Sequence, residues 1–118
     1  MKSLKIISLA PNFAFIFILS DFLNSLLELH VRAVPGGIMS NYWFNQAKPN
    51  DLLRLNGPLG TFFLRDSTNV DVFFLATGTG IAPFKAILES LTQVTEVQRP
   101  NSITVLWGGR KPEDFYID

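Results

Sequence analysis

Val72-Phe73-Phe74-Leu75-Ala76-Thr77-Gly78-Thr79-Gly80-Ile81-Ala82-Pro83-Phe84 is the stretch from which the rest of the chain is read. Its first five residues form an unbroken apolar run, the pattern of a strand covered on both faces in a parallel sheet. Thr77-Gly78-Thr79-Gly80 then permits a sharp turn and the close approach of a ligand, because glycine has no side chain to hold a phosphate or a ring away. Pro83 suits the first turn of a helix, where its missing N–H costs nothing. Phe84, Ile87, Leu88 and Leu91 follow at i, i+3, i+4 and i+7 as one apolar helical face. Pro83 stands where a dinucleotide fingerprint has its third glycine, so two readings stay open here. One is a phosphate or dinucleotide site at the helix N-terminus; the other is a tight strand-to-helix turn that needs glycine on steric grounds.

Toward the C-terminus the pattern predicts a helix from Pro83 to about Val97, a turn at Arg99-Pro100-Asn101-Ser102, a strand over residues 103–107 and a second glycine turn at Gly108-Gly109. This is one βαβ unit, whose crossover makes its two strands parallel. Arg110-Lys111-Pro112-Glu113-Asp114-Phe115-Tyr116 reads as a further helix start, with Pro112 first and two acids where the helix dipole favours them. A parallel sheet of two strands leaves apolar surface and edges uncovered, so both ends of the chain read as cut from something longer.

Toward the N-terminus, Leu27-Glu28-Leu29-His30-Val31-Arg32 alternates cleanly and predicts a half-exposed antiparallel strand, with Glu28, His30 and Arg32 on its open face. His30, alone of its kind, reads as a surface or hydrogen-bonded residue rather than a catalyst. Val34-Pro35-Gly36-Gly37 breaks the strand, and Ser40 is placed to cap a short segment over residues 41–45. That is either a second phosphate-holding turn or an ordinary turn with its cap. Turn chemistry at Lys48-Pro49-Asn50-Asp51 and Asn56-Gly57-Pro58-Leu59-Gly60 separates predicted strands at 52–55 and 61–64. Short strands with such turns suggest a small barrel or sandwich. The character changes after Asp66, which divides the chain near Thr68 into units 1–67 and 68–118. Residues 1–20 start with Lys2 and Lys5 and turn apolar, as a secretory signal does, but Pro11 and Asn12 split the run. Its unbroken part is shorter than the roughly 20 residues a membrane span takes, and one or two core strands are expected there instead.

Composition narrows the chemistry. Within 118 residues, 47% apolar, ten Lys plus Arg balance ten Asp plus Glu, which gives no reason to expect nucleic acid or an acidic membrane as partner. With no cysteine and one histidine, neither a thiolate-held metal nor a histidine-rich metal site can form, so redox chemistry must come from an organic cofactor.

Four motifs in order, Leu29-His30-Val31-Arg32 with Gly36-Gly37-Ile38-Met39-Ser40, Asn56-Gly57-Pro58-Leu59-Gly60-Thr61-Phe62, Ala76-Thr77-Gly78-Thr79-Gly80-Ile81-Ala82-Pro83, and Trp107-Gly108-Gly109-Arg110, resemble the ferredoxin–NADP(+) reductase superfamily, above all its CDP-6-deoxyglucoseen reductase type. The resemblance implies an antiparallel β-barrel portion, incomplete here, that binds FAD, followed by the first βαβ unit of an α/β domain that binds NAD(P)H. The implied activity passes hydride from NAD(P)H to FAD and electrons to a separate acceptor, such as an iron–sulfur protein or domain, in the cytoplasm. His30, Val31 and Arg32 would lie along the flavin nucleotide, and Gly37, Ile38, Met39 and Ser40 would hold its pyrophosphate. Thr79 would align nicotinamide against flavin, within a nicotinamide-side turn of Thr77, Gly78, Thr79, Gly80, Ile81, Ala82 and Pro83. Gly108, Gly109 and Arg110 would meet the pyridine nucleotide from the second strand, with Arg110 as a phosphate partner. The family's R-x-Y-S flavin motif has its nearest match in Lys5-Ile6-Ile7-Ser8, which keeps the serine and lacks the arginine and the tyrosine. Two other readings remain: a non-catalytic nucleotide-binding module, and a truncated remnant without activity of its own.

Overall fold

The computed structural model describes residues 3–9, 17–21, 26–54 and 59–117. The alternating segment becomes the centre of a three-stranded sheet: β1 (Ser3–Leu9), β2 (Phe17–Asp21) and β3 (Leu26–Arg32), in the order β1-β3-β2. β2 runs antiparallel to β3, pairing Phe17 with His30 and Asp21 with Leu26. β1 runs parallel to it, pairing Ser3 with Leu26 and Leu9 with Arg32. The N-terminal region thus supplies two strands where one or two were expected, while the apolar residues 13–16 lie outside the described residues. Lys5-Ile6-Ile7-Ser8 falls within β1, and its serine pairs with Val31.

Among the described residues, this mixed sheet is the part of the expected antiparallel barrel portion that is formed, with β2 antiparallel and β1 parallel to β3. Residues 52–54 and 61–64 do not form the strands their composition suggests, and Leu55 lies outside the described residues. Leu52 is fully exposed, and Phe62 and Phe63 are mostly so, because no neighbouring strand among the described residues takes up their backbone groups. Phe62 instead turns its ring edge to Phe84, at 5.5 Å between centroids.

β3 is also not half-exposed. Leu29 and Val31 are buried on one face, and Glu28 and His30 are buried on the other, with Arg32 half-buried beside them. The polar face is covered because each of its charged or titratable groups meets a partner from the second half of the chain, which is the condition for burying such groups.

Past an irregular segment, β4 (Asp71–Thr77) and β5 (Ser102–Gly108) pair in parallel, with Phe74 beside Val105 and Thr77 beside Gly108. Between them come a 3-10 turn (Gly78–Ile81), a short helix that is preceded in the chain by α1 (Ile38–Asn41) and is therefore α2 (Ala82–Leu91), and a 3-10 turn (Glu96–Gln98). The βαβ unit is as expected, but its helix ends at Leu91 rather than near Val97. Thr92, Val94 and Thr95 are poor helix formers, and the Arg99 guanidinium closes the end by donating to the carbonyls of Val94 at 2.9 Å and Thr92 at 3.3 Å. Phe84 of α2 stacks on Phe74 of β4 at 4.6 Å, so one face of the sheet is covered. The other face is open: Phe73, Leu75 and Leu106 are each more than half exposed. The continuous apolar run of β4 predicts cover on both sides, and the described residues provide it on one.

Candidate functional site

The turn after β4 is where the elements converge. Residues 78–81 pack against β4, β5 and also β3, so the glycine turn of the second unit touches the central strand of the first. Gly78 adopts φ +53°, in the left-handed region that glycine enters without strain. A Cβ at Gly78 would lie 3.6 Å from Arg32 Nη1, whereas one at Gly80 would meet nothing within 4 Å. Gly80 therefore leaves an open approach to the backbone, and Gly78 leaves room beside a permanent positive charge. Thr77 is exposed, Thr79 and Ile81 are buried, Ala82 is fully buried and Pro83 is half-buried at the start of α2. No side chain caps that helix start among the described residues; the 3-10 turn runs straight into it, the Ala82 N–H donating to the Thr79 carbonyl. A groove of about 490 Å³ opens at the C-terminal ends of the strands, lined by Leu75, Ala76, Thr77, Leu106, Trp107 and Gly108. Carboxyl ends of parallel strands are where open α/β sheets bind ligands.

The glycine pair before α1 is built differently. Gly36 has φ +74° and open space where a Cβ would be; at Gly37 a Cβ would press on Ser40 Oγ at 2.7 Å. Ser40 is not the cap of a following segment. It sits inside α1, buried, and its hydroxyl donates to the Val34 carbonyl at 3.0 Å and accepts from the Val34 N–H at 3.1 Å. Ile38 and Met39 project outward from this turn and are largely exposed. Val31 is buried on the far face of β3.

Glu28, His30 and Arg32, at alternate positions of β3, each reach a different element of the second unit. Lys85 of α2 donates to both Glu28 oxygens, at 2.9 and 3.1 Å, and also pairs with Glu89 one turn on. His30 is fully buried, with Nε2 2.8 Å from Glu28 Oε1 and Nδ1 2.7 Å from the Tyr116 hydroxyl. Arg32 Nη2 lies 3.6 Å from Asp114 Oδ1. Burial pushes the His30 imidazole below its ordinary pKa, only partly opposed by Glu28. Burial alone would raise the Glu28 carboxyl, but the hydrogen bonds and charges of Lys85 and His30 outweigh it and hold the group below the usual carboxylate value. Lys85, which burial would lower, is raised by Glu89 and Glu28. His30 thus holds no ring nitrogen free for a nucleotide; its place is the seam between the units.

On the second strand, Trp107 donates its indole N–H to the Gly78 carbonyl at 3.0 Å. Gly108 lies against Thr77, and a Cβ at Gly109 would collide with Phe115 and Asp114 at about 3 Å. Gly109 thus has a packing reason of its own, the 3-10 turn Pro112–Asp114 folding over it. Arg110 is exposed, and its backbone N–H donates to Asp114 Oδ2 at 2.8 Å. That bond, with a second from the Lys111 N–H and the nearby Arg32 charge, holds the Asp114 carboxyl below its usual value. The structure therefore sets Arg32 beside Gly78 and Thr77 beside Gly108, and holds Gly37, Ile38, Met39 and Ser40 in a separate turn. Sequence reasoning did not single out Glu28, Lys85, Asp114 or Tyr116 as paired across the seam, nor Trp107 as a support of the turn. Glu28 and Lys85 are 57 residues apart and His30 and Tyr116 are 86 apart, and no local pattern announces such pairs.

Residues 17–64 match the family described as oxidoreductase FAD-binding domain, and residues 74–118 match the one described as oxidoreductase NAD-binding domain. The chain is 42% identical over 95 residues to CDP-6-deoxy-L-threo-D-glycero-4-hexulose-3-dehydrase reductase of Yersinia pestis, an alignment covering 80% of this chain and 28% of that protein. It is 46% identical over 97 residues to Protein RfbI of Salmonella typhimurium, covering 82% and 28%. With the xylene/toluene monooxygenase electron transfer component XylA of Pseudomonas putida it shares 39% identity over 90 residues, covering 76% and 25%. The chain spans little more than a quarter of the length of these relatives. No solved structure matches it.

Proposed function

This chain belongs to the oxidoreductases that join a FAD-binding to an NAD-binding domain, the ferredoxin–NADP(+) reductase superfamily, and on that premise we propose that it serves the transfer of hydride from NAD(P)H to FAD and of electrons onward to a separate acceptor. The unit 1–67 is assigned to the flavin and 68–118 to the pyridine nucleotide. The observation that carries the reading is the Gly78–Ile81 turn, left-handed at Gly78, open at Gly80 and packed against β3. It would bring whatever binds at the ends of β4 and β5 up to the strand of the flavin unit.

The bound cofactors supply the redox chemistry, NAD(P)H as a hydride donor and FAD as an acceptor that can pass electrons on. The chain's part is position and charge. Thr77, Gly78 and Gly80 shape the approach for the nicotinamide half, with Thr79 fixing the turn from inside and Ile81, Ala82 and Pro83 starting the helix behind it. Arg32 supplies permanent charge beside the turn, and Gly108 at the end of β5 and Arg110 in the segment after it would meet the nucleotide from that side. Gly37, Ile38, Met39 and Ser40 offer a second, outward-facing turn for the flavin's pyrophosphate, in which Ser40 holds the loop. A separate acceptor accords with a relative named as an electron transfer component.

The test is to purify the chain with excess FAD, remove the excess, record its visible spectrum, and titrate it anaerobically with NADPH and then NADH. Retained flavin that bleaches with one nucleotide is the expected result. Nucleotide binding without retained flavin would instead favour the non-catalytic module, a reading to which the missing arginine and tyrosine of Lys5-Ile6-Ile7-Ser8 lend support. A chain that binds neither overturns the proposal.

A further inference from the structure

A second connection joins the glycine turn to β3, and it is made of side chains alone. His30 is fully buried and both its ring nitrogens are engaged. Glu28 is ionised and only accepts, so the imidazole proton sits on Nε2, and Nδ1 is left to accept from the Tyr116 hydroxyl. Burial and the Glu28 charge raise the Tyr116 phenol, which keeps its proton for that bond. The Tyr116 ring meets Trp107 edge to face at 5.2 Å, and Phe115 meets the same indole at 5.2 Å. Trp107 in turn donates its indole N–H to the Gly78 carbonyl. From Lys85 and Glu28 through His30, Tyr116 and Trp107 to Gly78 there is no gap.

We propose that His30, Tyr116 and Trp107 are positioning residues that lock the Gly78 turn to the central strand of the flavin unit, setting where the nicotinamide half of a bound nucleotide meets that unit. The inference rests on the function proposed above for what it positions, but the lock itself is a property of the chain without any cofactor. Trp107 acts on the turn by fixing one carbonyl, and Tyr116 acts on Trp107 by holding the ring that packs its indole. His30 acts on Tyr116 through a bond that a buried, neutral imidazole can make with one nitrogen only. Simple packing would not depend on which nitrogen is replaced; this arrangement does.

Two substitutions separate the nitrogens. In His30→Asn the side-chain oxygen falls near the Nδ1 position and accepts from Tyr116, whereas in His30→Gln the amide nitrogen falls near Nε2 and serves Glu28 alone. The chain has two tryptophans, so their indole N–H signals are readily told apart by NMR. Trp43, whose Nε1 is buried without a hydrogen-bond partner among the described residues, gauges opening of the chain as a whole. In the cofactor-free chain, Tyr116→Phe and His30→Gln are expected to speed solvent exchange of the Trp107 indole N–H about tenfold, with Trp43 unchanged and His30→Asn close to the parent. The same two variants should weaken NADPH binding about threefold, and His30→Asn should restore it. Equal acceleration of both indoles, or equal effects of Asn and Gln, overturns the lock. A parent chain that binds no NADPH would instead overturn the functional reading, while the exchange rates still decide the lock.

Discussion

Gly78 and Gly80 differ in what they ask of the backbone, and the difference separates folding from binding. Gly78 needs a left-handed φ, so Gly78→Ala should cost about 1 kcal/mol or more in unfolding free energy, read from the urea midpoint. Gly80 has no such need and no neighbour within 4 Å of an added Cβ. Gly80→Val should therefore leave the midpoint unchanged and weaken NAD(P)H binding at least about tenfold, roughly 1.4 kcal/mol; unchanged affinity would remove the turn from the site. His30 adds a pH dependence whose sign follows from its surroundings. The folded chain keeps the imidazole neutral below its ordinary value of 6.5, while the unfolded chain takes up a proton near that value. Unfolded molecules then hold more protons in this window, so stability falls as pH drops through 6.5 toward the lower folded value. Urea midpoints at several pH values should show this decline, and His30→Gln should flatten it. The glycine turn was legible in the sequence because the residue type is itself the backbone signal. The role of His30 was not, since a buried histidine and a surface histidine in an alternating strand look alike until the partner 86 residues on is known.

β3 is an element whose polar face was legible as polar and misread as wet. Alternation reports two unlike faces; it does not report whether the second is met by water or by Lys85, Tyr116 and Asp114. Lys85→Ala leaves Glu28 buried without its strongest partner and is expected to destabilise the chain by about 2 kcal/mol. The double variant Glu28→Gln, Lys85→Met should lose less than the two single losses added together, which a thermodynamic cycle of urea midpoints would measure. The end of α2 shows the same limit of local reading. The apolar spacing runs correctly through Leu91, but the stop depends on Arg99 returning to the Thr92 and Val94 carbonyls from beyond the turn. The strands expected at 52–55 and 61–64 failed for a related reason: β composition forms strands only where a neighbour offers a free edge.

At the scale of the molecule, the parallel pairing of β4 with β5 was readable from turns and crossover length. Uncovered apolar surface on a sheet of two parallel strands was expected; what could not be read was which residues stand on it, Phe73, Leu75 and Leu106 being outward among the described residues. A patch of this kind binds apolar probes and favours association. The chain should enhance the fluorescence of an apolar dye, and the double variant Phe73→Thr, Leu106→Thr should reduce that signal by about half or more without lowering the melting temperature. An unaltered signal would place the dye elsewhere, for instance on Leu59, Phe62 and Phe63. The seam has one more consequence. Residues 65–70, exposed apart from the buried Ser67, precede β4, yet β3 is tied across at three alternate positions by groups from α2 and from the segment after β5. A single protease nick within residues 65–70 should yield two fragments that elute together from a sizing column and separate only in denaturant, so that neither unit is well studied by expressing it without the other.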